Sequence, residues 1–362
     1  MSDESVTPRP HKGRGATQNP SGRFESTHRF QIDDGWDANE DTENSAKLTT
    51  QLHVDSSRSI IARNQSPDVP FSQSINPYRG CEHGCVYCFA RPSHNYLGYS
   101  IGLDFETQIH YKKNAAELLI KELARPGYRC STIALGVNAD AYQPVEKNLQ
   151  VTRSILKVLE NTKHPVVIIT KSTGILRDLD ILSSMAENKL VKVMASITTL
   201  DNDLSRTMEP RAATPNKRLA TLGKLSDAGI HTGILSSPMI PGLNDHELES
   251  ILEAAVNSGA KEAEFTLLRL PYQLKELFEN WLHVNYPLKV KKVLNRIRDC
   301  RGGNLYQNDF GTRMKGTGLY ADLLNQRFCK ACTRLGLNRR DLQLNTSLFQ
   351  PPTKPPQQME LF

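Results

Sequence analysis

No stretch of this 362-residue chain approaches the roughly 20 consecutive apolar residues that cross a membrane, and the opening MSDESVTPRPHKGRG holds no apolar core of the kind a secretory leader carries. A soluble protein of the cytoplasm is the expectation. Apolar residues are sparse overall. A hydrophobic content of 38% and a mean hydropathy of −0.47 are low for a fully globular chain, so part of the length is expected to be solvated tail. Cysteine is scarce as well, seven in all, and three of the seven fall within the eight residues from Cys81 to Cys88. That distribution argues against a disulfide framework and points to metal in a reducing compartment.

What is present begins at about Ser74. From there short β-rich runs alternate with helix-period segments, as in parallel strands joined by crossover helices. Strands are expected over 132–137, 166–170, 191–197, 231–236 and 263–268. Helices are expected over 114–123, 149–161, 176–186, 215–228 and 245–258, each bounded by Gly, Pro, Asn or Asp. With the strand leading into Cys81 this makes about six β/α units, an α/β fold built on a partial (β/α)6 barrel of TIM type, with ligands at the strand C-terminal ends. The barrel is assigned to 73–270. Residues 1–72, rich in Ser, Thr, Asn, Asp, Arg and Gln, are expected to be mostly disordered. Residues 271–344 read as a basic helical extension interrupted by the glycine-rich RGGNLYQNDFGTRMKGTG, and 345–362 as a polar, proline-rich tail.

The sequence NPYRGCEHGCVYCF runs from Asn76 to Phe89, with glycines at 80 and 84 that let the backbone fold tightly. Its spacing brings three thiolates around one cubane and leaves the fourth iron without a protein ligand from the loop, open to substrate. The alternative is a structural zinc site that adds His83 or His94 to Cys81, Cys85 and Cys88. Zinc ligands usually arrive as two separated pairs, whereas here all three thiols share one loop at the mouth of a β/α barrel, which favours the cluster.

Cys-x3-Cys-x2-Cys with the aromatic Tyr87 before the last cysteine resembles the signature of the radical S-adenosylmethionine (SAM) superfamily. Over roughly residues 12–337 the chain resembles a bacterial group related to spore photoproduct lyase, often labelled DNA repair photolyase. The resemblance implies a 4Fe-4S cluster on the three cysteines and SAM chelating the open iron. It also implies reductive cleavage to methionine and a 5′-deoxyadenosyl radical, hydrogen abstraction from a substrate, and an electron donor such as flavodoxin or ferredoxin.

Carried over residue by residue, Tyr87 and Phe89 would flank the cluster and pack on the adenine. Asn138 and Asp140, in GVNADAYQP, would receive the SAM amino group. Lys171, in ITKST, and Arg211, in MEPRA, suit the SAM carboxylate, Ser196, in ASITTLD, suits ribose or carboxylate, and SSPMIPGLND with Pro238 and Pro241 resembles the adenine-side loop. Read singly, Asp140, Lys171 and Arg211 are also solvated or salt-bridged strand ends, and Ser196 a satisfied hydroxyl under a helix. Their shared place at strand ends turns the reading to function.

One departure matters. Spore photoproduct lyase carries a hydrogen-donor cysteine late in its second strand, where this chain aligns Val137, with Ala139 in place of a serine and Cys130 at the wrong end of the strand. Thymine-dimer reversal is therefore not carried over intact. Tyr142 is a candidate hydrogen donor, against its plainer role as a core or surface tyrosine. Cys300, Cys329 and Cys332 read as structural thiols rather than a second metal site.

Between Lys289 and Arg340 thirteen Lys or Arg face three Asp or Glu, a local charge of +10 against +6 for the whole chain. A DNA or RNA backbone suits such a segment, as does plain solvation. The terminal Gln358, Met359, Leu361 and Phe362 resemble the pentapeptide with which bacterial repair proteins dock on the replication sliding clamp. Three functions are open: a radical SAM enzyme on DNA; one on RNA, a peptide or a small molecule; or a non-catalytic metal-containing nucleic-acid-binding protein.

Overall fold

Runs such as VVIIT and VKVMAS, apolar on both faces, are stable only between two covering layers. They form the centre of a parallel sheet in the computed structural model, which describes residues 11–25, 48–339 and 342–352. Ten strands are present among those residues: β1 (Gln51–Val54), β2 (Ile61–Arg63), β3 (Gln73–Ile75), β4 (Tyr78–Arg79), β5 (Gln108–Tyr111), β6 (Ile133–Leu135), β7 (Val166–Thr170), β8 (Val191–Ser196), β9 (His231–Met239) and β10 (Glu262–Leu267). Seven form one sheet in the order β10-β9-β8-β7-β6-β3-β2. The six from β3 to β10 are parallel and β2 is an antiparallel edge. The sheet curls without closing, which is the partial barrel expected from the β/α period, and its edges are β2 and β10.

The five strands expected beyond the cysteine loop all form, with ends displaced by a few residues. The crossover helices are Ala115–Leu123, Val151–Asn161, Leu179–Glu187, Pro215–Asp227 and Leu248–Asn257. Each lays an apolar stripe on the sheet; in Val151–Asn161 the stripe is Val151, Ile155, Leu156 and Leu159. One core lies under β3, β6 and β7, a second under β9 and β10. A third gathers Cys85, Val86 and Tyr87 with Leu268, Leu270 and Trp281, so the cysteine loop is packed against the chain that leaves β10.

The described parts of the tails, 11–25, 48–72 and 345–352, are more ordered than composition suggests. Composition marks 11–25 and 48–72 as mostly disordered, yet β1 pairs with β5, β2 pairs with β3, and Ala16 is fully buried. Arg14 donates to the carbonyls of Glu106 (2.8 Å) and Leu48 (2.7 Å). Backbone amides and one guanidinium make these contacts, so no apolar periodicity announces them. Likewise Asn345 N–H donates to Lys189 O and Gln350 N–H to Thr162 O, while the Phe349 ring lies 5.5 Å from Tyr128 and 5.2 Å from His164. The proposed clamp peptide, Gln358, Met359, Leu361 and Phe362, lies outside the described residues, as does Arg340.

The extension after β10 holds the helices Leu274–Asn285, Val290–Asp299 and Leu319–Leu335, the last packed on Leu248–Asn257. Much of its positive charge is consumed internally. Arg327 and Arg334 pair with Glu249 and Glu253, Arg313 pairs with Asp68, and Arg301 is buried with its guanidinium on four backbone carbonyls. Four of the thirteen cations of the 289–340 segment are therefore engaged within the fold. Among the described residues no helix is long and apolar enough to cross a membrane.

Replacing Phe349 by Ala should cost roughly 1–2 kcal/mol in urea unfolding, through lost ring contacts with Tyr128 and His164; a change near zero would mean that the docked tail adds no stability.

Candidate active site

The cysteine loop leaves β3 through Asn76 and β4 and sits over the C-terminal ends of the parallel strands, where an open β/α sheet gathers its ligands. Its backbone is tied on every side. Cys81 N–H donates to Phe105 O (2.9 Å), Val86 N–H to Met208 O (3.0 Å), and Glu82 N–H to the Gln143 side chain (2.8 Å), which returns a bond to Gly80 O (3.2 Å).

The strongest tie is a fully buried ion pair, Arg91 to Glu106 at 2.5 Å. Arg91 also donates to the carbonyls of Gly84, Cys85, Ile101 and Gly102. Glu106 in turn accepts the N–H groups of Gly15 and Ala16 at 3.0 and 2.8 Å. The approach is so close that a Cβ on Gly15 would lie 1.9 Å from Gly84 O, and one on Gly84, which is left-handed at φ +67°, would lie 2.8 Å from Glu106. Both positions therefore demand glycine.

Burial raises the thiols of Cys81 and Cys85 well above their ordinary value; at Cys81 the charges of Asp140 and Cys85 add to it, and at Cys85 Lys171 works against it. Such thiols ionise when a strong positive charge binds them, as iron does. Among the described residues no three His, Cys, Asp or Glu side chains stand close enough to share one ion. A cubane asks for something different, because each thiolate binds its own iron. Of the histidines in the zinc alternative, His83 Nδ1 lies 3.3 Å from Asp140 and His94 Nε2 lies 3.0 Å from Gln108 O, while His94 Nδ1 is buried with no hydrogen-bond partner among the described residues. The donor set thus suits a cluster.

Asp140 does not hold a free carboxylate toward a ligand. One oxygen accepts Tyr142 N–H and the Thr170 hydroxyl, both at 2.8 Å, and the other accepts Lys171 N–H at 2.7 Å and faces His83. Burial alone would raise its carboxyl, but His83 and these donors outweigh burial and bring it down to about 2. Its reading as acceptor of an ammonium is corrected: it joins the ends of β6 and β7 to the cysteine loop.

Tyr142 is corrected too. Its buried hydroxyl donates to Asp178 at 3.0 Å, in a network with Arg177 and Arg153, and burial with that carboxylate raises it further. It is not a free hydrogen donor.

The remaining candidates lie on or near the cysteine loop and the strand C-terminal ends. The Lys171 ammonium lies 5.9 Å from the centre of the Tyr87 ring. Arg211 is partly exposed and held by Glu82 at 3.0 Å, while its N–H donates to His83 O. Asn138 is exposed, its N–H on the Asn76 side chain. Phe89 is exposed under the Arg269 guanidinium. Ser196 is buried at the end of β8, its carbonyl accepting from Arg218 at 3.0 Å.

Pro238, near the end of β9, and Pro241, just beyond it, flank a chain end clamped by Asn244, which donates to Thr198 O and Pro238 O and accepts Ile240 N–H. Val137 and Ala139 come just after β6, and Cys130 precedes it at the opposite end of the sheet. Cys300 and Cys332 sit in the apolar core under β10, each thiol pushed by burial to about 11, and Cys329 is exposed.

Residues 75–255 match the family model described as Radical SAM superfamily. The chain belongs to the radical SAM superfamily. An uncharacterized protein of Mycobacterium tuberculosis is 36% identical over 233 residues, 64% of this chain and 67% of that one. An uncharacterized protein of Methanocaldococcus jannaschii is 28% identical over 222 residues, 61% and 79% of the two chains. Among solved structures, a spore photoproduct lyase mutant with bound AdoMet and dinucleoside spore photoproduct shares the fold, with a TM-score of 0.55 at 16% identity over 79% of this chain and 80% of that one. Radical SAM proteins work with a 4Fe-4S cluster and SAM.

Within this radical SAM site, sequence reasoning missed the residues that hold others in place. Glu209 is buried and receives the Tyr87 hydroxyl, the Thr198 hydroxyl (3.0 Å) and Arg218. Arg218 ties the same point to the carbonyls of Ser196 and Ala213. Glu82, Arg91, Glu106 and Gln143 do the same for the loop backbone. Glu209 stands in the quoted MEPRA, two residues from Arg211, but nothing local marks it as the anchor of Tyr87.

Glu106→Ala leaves Arg91 buried without its partner and should lower the unfolding free energy by roughly 3–5 kcal/mol in urea titrations. The depressed Asp140 carboxyl stabilises the fold above its unfolded value of 3.8, and that contribution is lost as pH falls toward about 2. In acid unfolding measured by circular dichroism, wild type should lead Asp140→Asn near neutrality and lose that lead across this window; a constant difference would remove Asp140 ionisation as the cause.

Proposed function

We propose that this protein is a radical SAM enzyme that holds a 4Fe-4S cluster on Cys81, Cys85 and Cys88, cleaves SAM reductively, and acts on DNA. The supporting observation is a tri-cysteine loop pinned by Arg91 and Glu106 over the strand C-terminal ends, with Lys171 and Arg211 beside it. When bound, the cluster and SAM supply a 5′-deoxyadenosyl radical that abstracts hydrogen from substrate.

The chain's own residues prepare the site for that chemistry. Lys171 and Arg211 offer cations to the SAM carboxylate; Asn138 and Ser196 offer polar contacts, with Asp140 fixing the loop that carries Asn138. Tyr87, oriented by Glu209, and Phe89 flank the cluster and the adenine. The hydrogen-donor position of spore photoproduct lyase holds no cysteine here, so the reaction on DNA differs from thymine-dimer reversal at the step of hydrogen return.

The cations of Lys289, Lys291, Lys292 and Arg298 lie on or beside the helix Val290–Asp299 and suit a phosphate backbone. The same reading places the protein in the cytoplasm, supplied with electrons by a flavodoxin or ferredoxin. Gln358, Met359, Leu361 and Phe362 would tether it to the sliding clamp.

Anaerobic reconstitution with iron and sulfide, reduction, and assay of 5′-deoxyadenosine test the reaction. Wild type should release it from SAM and Cys85→Ala should release none above background; a wild type that holds zinc and leaves SAM intact would overturn the proposal. Lys171→Ala should keep the cluster absorbance and weaken SAM binding about tenfold, the worth of one charge-assisted hydrogen bond.

A further inference from the structure

Five Phe or Tyr side chains are exposed among the described residues: Phe24 (62%), Phe89 (40%), Tyr96 (71%), Tyr272 (59%) and Phe310 (61%). Every one of them carries an arginine. The Arg23 guanidinium lies 3.8 Å from the ring centre of Tyr272, 5.0 Å from Phe24 and 5.7 Å from Tyr96; Arg269 lies 5.2 Å from Phe89, and Arg313 lies 4.6 Å from Phe310. Scattered exposed aromatics need no explanation, but five rings gathered on three guanidinium groups do.

Their places in the fold are related. The sheet is open between β2 and β10, and two segments reach across from one side of the opening to the other. Residues 20–23 run from the stretch after the cysteine loop, where the Ser100 hydroxyl donates to Pro20 O and Arg23 N–H to Asn95, to the turn beyond β10, where Gln273 donates to Ser21 O. The glycine-rich loop joins β10, through Leu267 N–H to Met314 O at 2.8 Å, to the turn between β2 and β3, where Asp68 accepts from Gly311 N–H and Arg313. The first strap carries Arg23 and Phe24, against Tyr96 and Tyr272; the second carries Arg313 and Phe310.

Between the straps lies the third pair, Phe89 beside Cys88 under Arg269. Arg269 leaves β10 three residues before Tyr272 and touches the Met314 sulfur at 3.6 Å. The Nε atoms of Arg23 and Arg269 are buried with no hydrogen-bond partner among the described residues.

We propose that these three arginine–aromatic groups are a stacking platform for single-stranded DNA, leading an extended strand along the open side of the sheet and past the cysteine loop. The reading rests on the DNA-directed radical SAM function proposed above and deepens it. A ring covered on one face by a guanidinium offers its other face to a base. The guanidinium groups of Arg23 and Arg269 meet phosphates, while that of Arg313, paired with Asp68, holds the Phe310 ring in place, so bases and backbone are both recognised without reading sequence. A duplex keeps its bases inside and cannot use the rings. An apolar protein partner would leave the guanidinium groups of Arg23 and Arg269 without an anionic partner.

The test is fluorescence anisotropy with the full chain. The probes are a labelled mixed-sequence single strand of about 20 nucleotides, an abasic strand of the same length, the corresponding duplex, and the same sequence as RNA. The single DNA strand should bind at least about tenfold more tightly than the abasic strand and more tightly than the duplex and the RNA. Tyr272→Ala and Phe310→Ala should each weaken it about tenfold while leaving the abasic strand unchanged, and Tyr272→Phe should bind as wild type.

Equal binding of abasic and base-bearing strands, preference for duplex or RNA, or no binding at low salt would each overturn the platform. Circular dichroism verifies folding, and Phe310→Ala carries the comparison if Tyr272→Ala misfolds. Anisotropy needs no turnover. Loss of base-dependent binding with deoxyadenosine release intact therefore rejects the platform alone, and base-dependent binding without deoxyadenosine release rejects the reaction alone.

Discussion

The Arg91–Glu106 pair is the contact on which the site depends. Both side chains are wholly buried, where an ion pair persists only if the remaining donors and acceptors are also satisfied. They are satisfied by the cysteine loop and the segments packed on it: Arg91 directs its other donors to carbonyls of Gly84 and Cys85 in the loop and of Ile101 and Gly102 beyond it, and Glu106 collects the amides of Gly15 and Ala16. Satisfying the pair and shaping the loop are thus one requirement. It also explains why an N-terminal segment with almost no apolar character is ordered where it crosses the loop.

The carboxylates around the mouth obey the same logic. Glu82, Glu106, Asp140 and Glu209 are each engaged by donors from at least two separate parts of the chain, and each holds a loop or a ring that faces the cysteines. Burying so many acids is tolerable because every one is met by hydrogen bonds or a cation. Negative charge at this site does structural duty, while Lys171 and Arg211 are the charged side chains turned toward the mouth.

An open sheet has a side as well as a mouth. Here the side is crossed at two levels by chain from opposite ends of the sequence, the segment around Arg23 and the glycine-rich loop around Arg313. The glycine-rich strap links the β10 strand to the turn between β2 and β3, a connection that no strand pairing makes. Arg301, buried beneath the second strap, holds it to Leu267, Leu268, Thr312 and Arg313 through their carbonyls.

Much of the architecture was legible in the linear sequence because it rests on local periodicity: the two-sided apolar strands, the amphipathic crossovers and the cysteine spacing are read within windows of a few to fifteen residues. The order of strands then comes from connecting parallel neighbours through helices. The roles of acids and arginines were not legible. Asp140 looked like a ligand contact because it ends a strand, and became a tether only when His83, Thr170 and Lys171 were brought to it. Glu106 lies 90 residues from the Ala16 amide it receives, and Glu209 122 residues from Tyr87. A buried charge takes whichever partners the fold delivers, and no periodicity records that choice. Local pattern was thus sufficient for the barrel and the three thiols. Which charges hold the loop and which remain to meet a ligand was settled by packing between distant segments, because desolvation makes that a property of the neighbours rather than of the residue.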